Sequence, residues 1–145
     1  MGKILALDLG DVWTGIAISD PLKTLARPIE SVKTTALHAH LKELLKLEKI
    51  ESIVVGNPIT LAGTESKQTE RAKEQKTALE AEFPSMQFIL WDERLSSKQA
   101  SHLQHQMQKK RSITTKQQSH SIAAAVILDS YLAFYHHTHA QESEE

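Results

Sequence analysis

A chain of 145 residues is long enough for one domain with its own apolar core, and the absence of cysteine excludes both a disulfide framework and a thiolate zinc site and fits a reducing compartment. A formal net charge of −1 gives no global basic signature, so any contact with nucleic acid has to come from a local patch. No run approaches about eighteen consecutive apolar residues and the N-terminus enters a strand without a charged and then apolar leader, which predicts a soluble, cytoplasmic protein without membrane contact.

The run Lys3-Ile4-Leu5-Ala6-Leu7 is short, apolar and rich in strand formers, as a central strand covered on both faces would be, and it ends in the carboxylate of Asp8. Gly10 and Gly15 flank a tight reversal and Ile16-Ala17-Ile18-Ser19 returns, which predicts a β-hairpin. Asp8 is then held at the lip of a sheet, either to bind a ligand or only to accept hydrogen bonds from turn amides. Pro28-Ile29-Glu30-Ser31-Val32 alternates as an edge strand. Leu37, Leu41, Leu44 and Leu45 follow helical spacing, with Thr34 or Thr35 as the expected cap. Ser52-Ile53-Val54-Val55-Gly56 is a buried strand, so strand, helix and strand alternate as in a parallel α/β arrangement.

A long loop then leads to a second helix marked by Ala72, Leu79 and Phe83 and ended by Pro84. Gln87-Phe88-Ile89-Leu90-Trp91 is the last strand and runs into Asp92-Glu93, after which Ser96 opens a capping-box pattern. Residues 106–118 carry Lys109, Lys110, Arg111 and Lys116 with almost nothing apolar and predict a mobile basic loop. The final helix is expected from about Ser119, with His120, Ala123, Ala124, Ile127 and Tyr131 on one side. One domain over residues 1–136 and a polar, solvated tail over 137–145, including His137 and His139, complete the expected organisation.

The first and last strands both end in acids, and open α/β sheets bind ligands at the carboxyl ends of their strands. Carboxylates gathered there without lysines favour a hard divalent cation such as Mg²⁺ or Mn²⁺, and with it phosphoester chemistry.

Five blocks in order, spread over nearly the whole chain, resemble the YqgF family. They are Leu7-Asp8-Leu9-Gly10 with Gly15-Ile16-Ala17-Ile18-Ser19-Asp20, Val54-Val55-Gly56-Asn57-Pro58, Gly63-Thr64-Glu65 with Gln68-Thr69-Glu70-Arg71, Asp92-Glu93-Arg94-Leu95-Ser96, and Ile122-Ala123-Ala124-Ala125. Members are Holliday-junction-resolvase-like and are regarded as nucleases for the 5′ end of pre-16S ribosomal RNA. The resemblance implies an α/β, RNase H-like fold, a five-stranded mixed sheet with helices on both faces.

It makes Asp8 the first acid and Glu93, in preference to Asp92, the second. Strand alternation sends the last two to opposite faces. His120 stands where the family has a third aspartate, and Asp129 cannot replace it, lying about 180° around the helix and about 13 Å along it. The hairpin turn also departs, with Val12-Trp13-Thr14 where the family usually has basic residues.

A metal-dependent nuclease is therefore expected, with Asp8, Glu93 and His120 as its catalytic residues and Asp8, Glu93 and Asp92 as the candidate ligands of Mg²⁺ or Mn²⁺. Arg71, Arg94, Lys109, Lys110, Arg111 and Lys116 would contact nucleic acid. The implied partners are pre-16S rRNA, a ribosomal precursor particle or branched DNA, and the expected state is a monomer or weak homodimer. The alternatives are a nucleic-acid or ribosome-binding protein of the same fold with weakened catalysis, and a Holliday-junction-type DNA resolvase. An actin-like ATPase is disfavoured because those enzymes bind nucleotide between two such domains.

Overall fold

The computed structural model describes residues 2–57, 67–92 and 116–143. Within them five strands, β1 (Lys3–Leu9), β2 (Trp13–Ser19), β3 (Ala26–Lys33), β4 (Ile50–Asn57) and β5 (Gln87–Asp92), form one sheet in the order β3-β2-β1-β4-β5. Here β1 is antiparallel to β2 and β2 to β3, whereas β1, β4 and β5 run parallel. The antiparallel hairpin, the edge position of β3 and the parallel run through β4 to β5 all follow the sequence expectation.

Among the described residues three α-helices cover the sheet: α1 (Leu37–Leu47), α2 (Lys67–Glu82) and α3 (Lys116–Ser143). Alternation along the strands divides the core in two. Leu5, Leu7, Ile16, Ile18, Ile53, Val55 and Phe88 bury themselves with Leu37, Leu41 and Leu79 on one face. Ile4, Ala6, Ala17 and Val54 meet Ala124, Ala125, Leu128 and Leu132 of α3 on the other. In the second interface Ala6 and Ala17 of the sheet face Ala124 and Ala125 of α3 among the larger side chains, which lets the helix axis come close to the sheet.

That approach is closest at Gly15, where a side chain would place its first carbon 1.9 Å from the His120 carbonyl oxygen. Glycine in the middle of a strand is otherwise a weak choice, and here it is required because another backbone lies against it.

Several local features differ from the sequence expectation. A 3₁₀ turn at Thr34–Ala36 precedes α1, and neither threonine caps the helix, whose N-cap is Ala36 with no side-chain hydrogen bond. Thr34 is engaged elsewhere: its Oγ1 donates to the Gly10 carbonyl at 2.7 Å, and its N–H donates to the Val12 carbonyl at 2.8 Å.

The last helix begins at Lys116, and its buried stripe runs through Ser121, Ala124, Ala125, Leu128 and Leu132, leaving Ala123 only half-buried. The tail expected from residue 137 is instead continuous α3 through Ser143. Thr138 and His139 donate to the carbonyls of Phe134 and Tyr135, and the Tyr135 and His139 rings stack 3.8 Å apart. Position 96 and the stretch 106–115 lie outside the described residues, as does the side chain of Lys116.

At the other end of the sheet the β2–β3 turn fastens α3. Lys23 adopts a left-handed backbone at φ 59°. Its buried ammonium pairs with Glu51 at 3.2 Å and lies 5.4 Å from the Tyr135 ring centroid, while its carbonyl is hydrogen-bonded to His136 Nε2. Asp20 holds this turn by accepting from the N–H groups of Thr24 and Leu25 and from the Thr24 hydroxyl, which together lower its carboxyl to about 2. This contribution is present above the ordinary carboxylate range and is lost as pH falls through about 2.

Gly15→Ala is expected to cost about 3 kcal/mol of folding stability, at the upper end of overpacking penalties, because both the helix and the strand are held by their own cores. Urea unfolding of the variant and the parent gives the difference directly.

Candidate active site

Asp8 is the penultimate residue of β1 and pairs with Gly15 across the hairpin. It shares the α3 face with Ile4 and Ala6, so its carboxylate points into the space that the missing side chain of Gly15 leaves for α3. His120, in the second turn of α3, sits at that point, and its Nδ1 lies 3.1 Å from Asp8 Oδ2. Asp8 is thus paired with an imidazole, and the carboxylate bound by turn amides is Asp20, at the other end of the hairpin.

Gly10 also lies against the imidazole: a side chain there would fall 2.3 Å from the Trp13 carbonyl oxygen and 3.2 Å from His120 Cε1. Thr34, one of the two threonines expected to cap α1, ties this turn down. Its hydroxyl also lies 3.0 Å from that of the fully buried Thr14.

Burial raises the Asp8 carboxyl above its ordinary value, outweighing the hydrogen bond and charge of His120, which act to lower it. Both side chains remain partly open, His120 at 32% and Asp8 at 20%. An anion is therefore desolvated yet reachable, which is the electrostatic condition for a cation site.

The two donors also have a suitable separation. Adjacent ligands of an octahedral ion with bonds of about 2.1 Å lie about 3.0 Å apart, close to the 3.1 Å observed. Among the described residues no cluster of three or more His, Cys, Asp or Glu side chains forms.

The remaining candidates are placed as follows. Asp92 continues the alternation of Phe88 and Leu90, which pack on the α1 and α2 side, whereas Ile89 and Trp91 pack on the α3 side. The pleat therefore directs Asp92 to the face opposite Asp8, against the expectation that it could join the same ligand set. Glu93, Arg94, Lys109, Lys110 and Arg111 lie outside the described residues. Arg71, in the first turns of α2, reaches the hairpin turn, where its Nη1 donates to both oxygens of Asp11 at 2.7 Å. Asp11 was not singled out in the sequence, since its role depends on α2 being brought alongside.

A β3-β2-β1-β4-β5 sheet with an acid at the end of its central strand and a helix laid across that end defines the RNase H-like class. In agreement, the structure of Thermus thermophilus RuvC in complex with a Holliday junction substrate superimposes with a TM-score of 0.61 over 92% of this chain and 96% of that one, at 14% identity. Residues 2–134 match the family model RuvX, described as Holliday junction resolvase, and the chain belongs to that family. Its curated relatives include proteins named "Putative pre-16S rRNA nuclease" from Rubrobacter xylanophilus, 40% identical over 90% of this chain and 92% of that protein, and from Fusobacterium nucleatum, 31% identical over 91% and 97%.

The raised Asp8 carboxyl has a consequence for stability. Between the unfolded carboxylate value and the higher folded one the native state holds the extra proton, so stability falls as pH rises through that window and the cost is complete above it. Asp8→Asn should therefore raise the urea midpoint at neutral pH, with the gain shrinking to nothing at about pH 3, below the ordinary carboxylate range. Paired unfolding curves at the two pH values measure this.

Proposed function

We propose that this chain is a divalent-cation-dependent endonuclease acting on RNA in maturation of the 5′ end of pre-16S rRNA. The observation that carries this is the contact of a half-buried Asp8 carboxylate with His120 at cis-ligand spacing, at the carboxyl end of the central strand. Membership of the RuvX family and the names of the curated relatives support the same reading.

Asp8 and His120 would hold the cation, together with Glu93, which the family resemblance implies as the second acid. When bound, the cation would supply Lewis-acid polarisation of the phosphodiester and a water acidic enough to attack it at neutral pH. Asp8 contributes the charge, and its burial removes competing solvent. His120 must present the Nδ1 lone pair, so its proton then resides on Nε2. Imidazole in place of a third carboxylate leaves one negative charge fewer and favours Mn²⁺ over Mg²⁺.

Arg71 would meet a phosphate by exchanging Asp11 for it, and Lys109, Lys110, Arg111, Lys116 and Arg94 would contact further phosphates of the nucleic acid. The replacement of an acid by His120 also favours a second reading, a binding protein of the same fold with lost catalysis.

Cleavage of a precursor rRNA fragment by the parent, Asp8→Asn, His120→Asp and His120→Ala in each metal separates the two. Asp8→Asn is expected to abolish cleavage with the fold intact. His120→Asp should raise the Mg²⁺ rate, and His120→Ala should lower the Mn²⁺ rate while leaving RNA affinity nearly unchanged. A parent without metal-dependent cleavage would leave the binding reading, whereas an Asp8→Asn variant that cleaves normally would place the chemistry elsewhere or in a contaminant.

A further inference from the structure

Trp13 and Lys33 stand out from the other aromatic and cationic residues of the sheet. They are directly paired across β2 and β3, with Lys33 Nζ 4.9 Å from the centre of the Trp13 ring system. Trp13 is half-buried and Lys33 is exposed. Trp91 shows the contrast. Its indole N–H donates to Ser130 at 3.2 Å and its ring meets Tyr131 edge-on at 5.3 Å, so it is used in packing the core.

Trp13 follows the alternation of β2 through Gly15, the residue that pairs with Asp8, and so lies on the same face as that carboxylate and at the same end of the sheet. One strand spacing and two residues of rise place its Cα about 8 Å from that of Asp8, within reach of an adjacent nucleotide. Val12, next in the turn, is 56% exposed and adds apolar surface at the tip.

A half-buried indole with an exposed ammonium group over it, beside the Asp8 centre, matches the two halves of a nucleotide. The ring offers a stacking surface to a base, and the lysine offers a point charge to its phosphate. Bases in a duplex have their faces occupied by neighbours, so such a platform selects an unpaired strand.

We infer that Trp13 and Lys33 form a subsite for one unpaired nucleotide beside the Asp8 centre, which makes single-stranded rather than duplex nucleic acid the preferred substrate. This rests on the nuclease reading above and adds the class of strand.

The test is equilibrium binding, with EDTA present, of a mixed-sequence single-stranded RNA of about 12 nucleotides and of the same sequence as a duplex. The full chain is compared with Trp13→Ala, Trp13→Phe and Lys33→Ala, each checked for an unchanged unfolding midpoint. Single-strand affinity should fall about tenfold or more in Trp13→Ala, stay within about twofold in Trp13→Phe, and fall in Lys33→Ala with about one unit less salt slope.

Duplex binding should be weaker than single-strand binding and indifferent to Trp13→Ala. Stacking should also quench the indole emission, and that quench should vanish in Trp13→Phe, a signature that mere support of the fold would not produce. Equal single-strand affinity in the parent and Trp13→Ala, duplex binding as tight as single-strand binding, absence of quenching, or no binding by the parent would each overturn the inference. All these readouts are taken without metal, so they stand apart from cleavage: loss of the subsite leaves the Asp8 result untouched, and the reverse also holds.

Discussion

The height of α3 above the sheet is set at one point, where the carbonyl of His120 rests against the bare α-carbon of Gly15. The placing of His120 over Asp8 follows from that contact. It lowers the imidazole to within 3.1 Å of Asp8, and it lets the small residues Ala6, Ala17, Ala124 and Ala125 share one tightly packed layer. A methyl group at position 15 would have to lift the helix, and with it His120, away from the carboxylate. Packing and the candidate chemistry are therefore one constraint.

The contact also explains an electrostatic expense. Covering Asp8 with a helix strips it of water, and the raised carboxyl shows that His120 does not fully compensate. A structure selected only for stability would place a neutral residue there, as it does in the rest of that core layer. Asp20 makes the comparison concrete: it is as close to the end of its strand, but three well-directed donors lower its carboxyl to about 2. One acid serves the fold, and the other is tolerated by it.

Much of this was legible in the sequence because the strands are short apolar runs with distinct ends. Lys3-Ile4-Leu5-Ala6-Leu7 and Ser52-Ile53-Val54-Val55-Gly56 declare their burial, and the alternation about Trp91 sorts Asp92 from the residues that share the Asp8 face. The errors arose where a side chain has two possible partners. Thr34 has the right identity and place for a helix cap, but Gly10 and Val12 compete for it through the tertiary fold. The extension of α3 past residue 136 was hidden because its last turns are polar and gain their order from stacking and side-chain-to-carbonyl bonds. The pairing of Asp11 with Arg71 joins residues sixty positions apart and has no local signal.

The 28 residues of α3 form a rod about 42 Å long, nearly twice the length of the strands it crosses. Its middle lies on the sheet through Ala124, Ala125, Leu128 and Leu132, and its two ends are held differently, by Gly15 near the start and by the Lys23 turn, which takes His136 and Tyr135 about 24 Å further along. These supports are unequal as mechanical elements. The first is a fulcrum lying against the backbone of His120 itself, so the lever arm from pivot to imidazole is almost nil. Loosening of the Lys23 turn is therefore expected to free the distal turns of the helix before it alters the distance from His120 to Asp8.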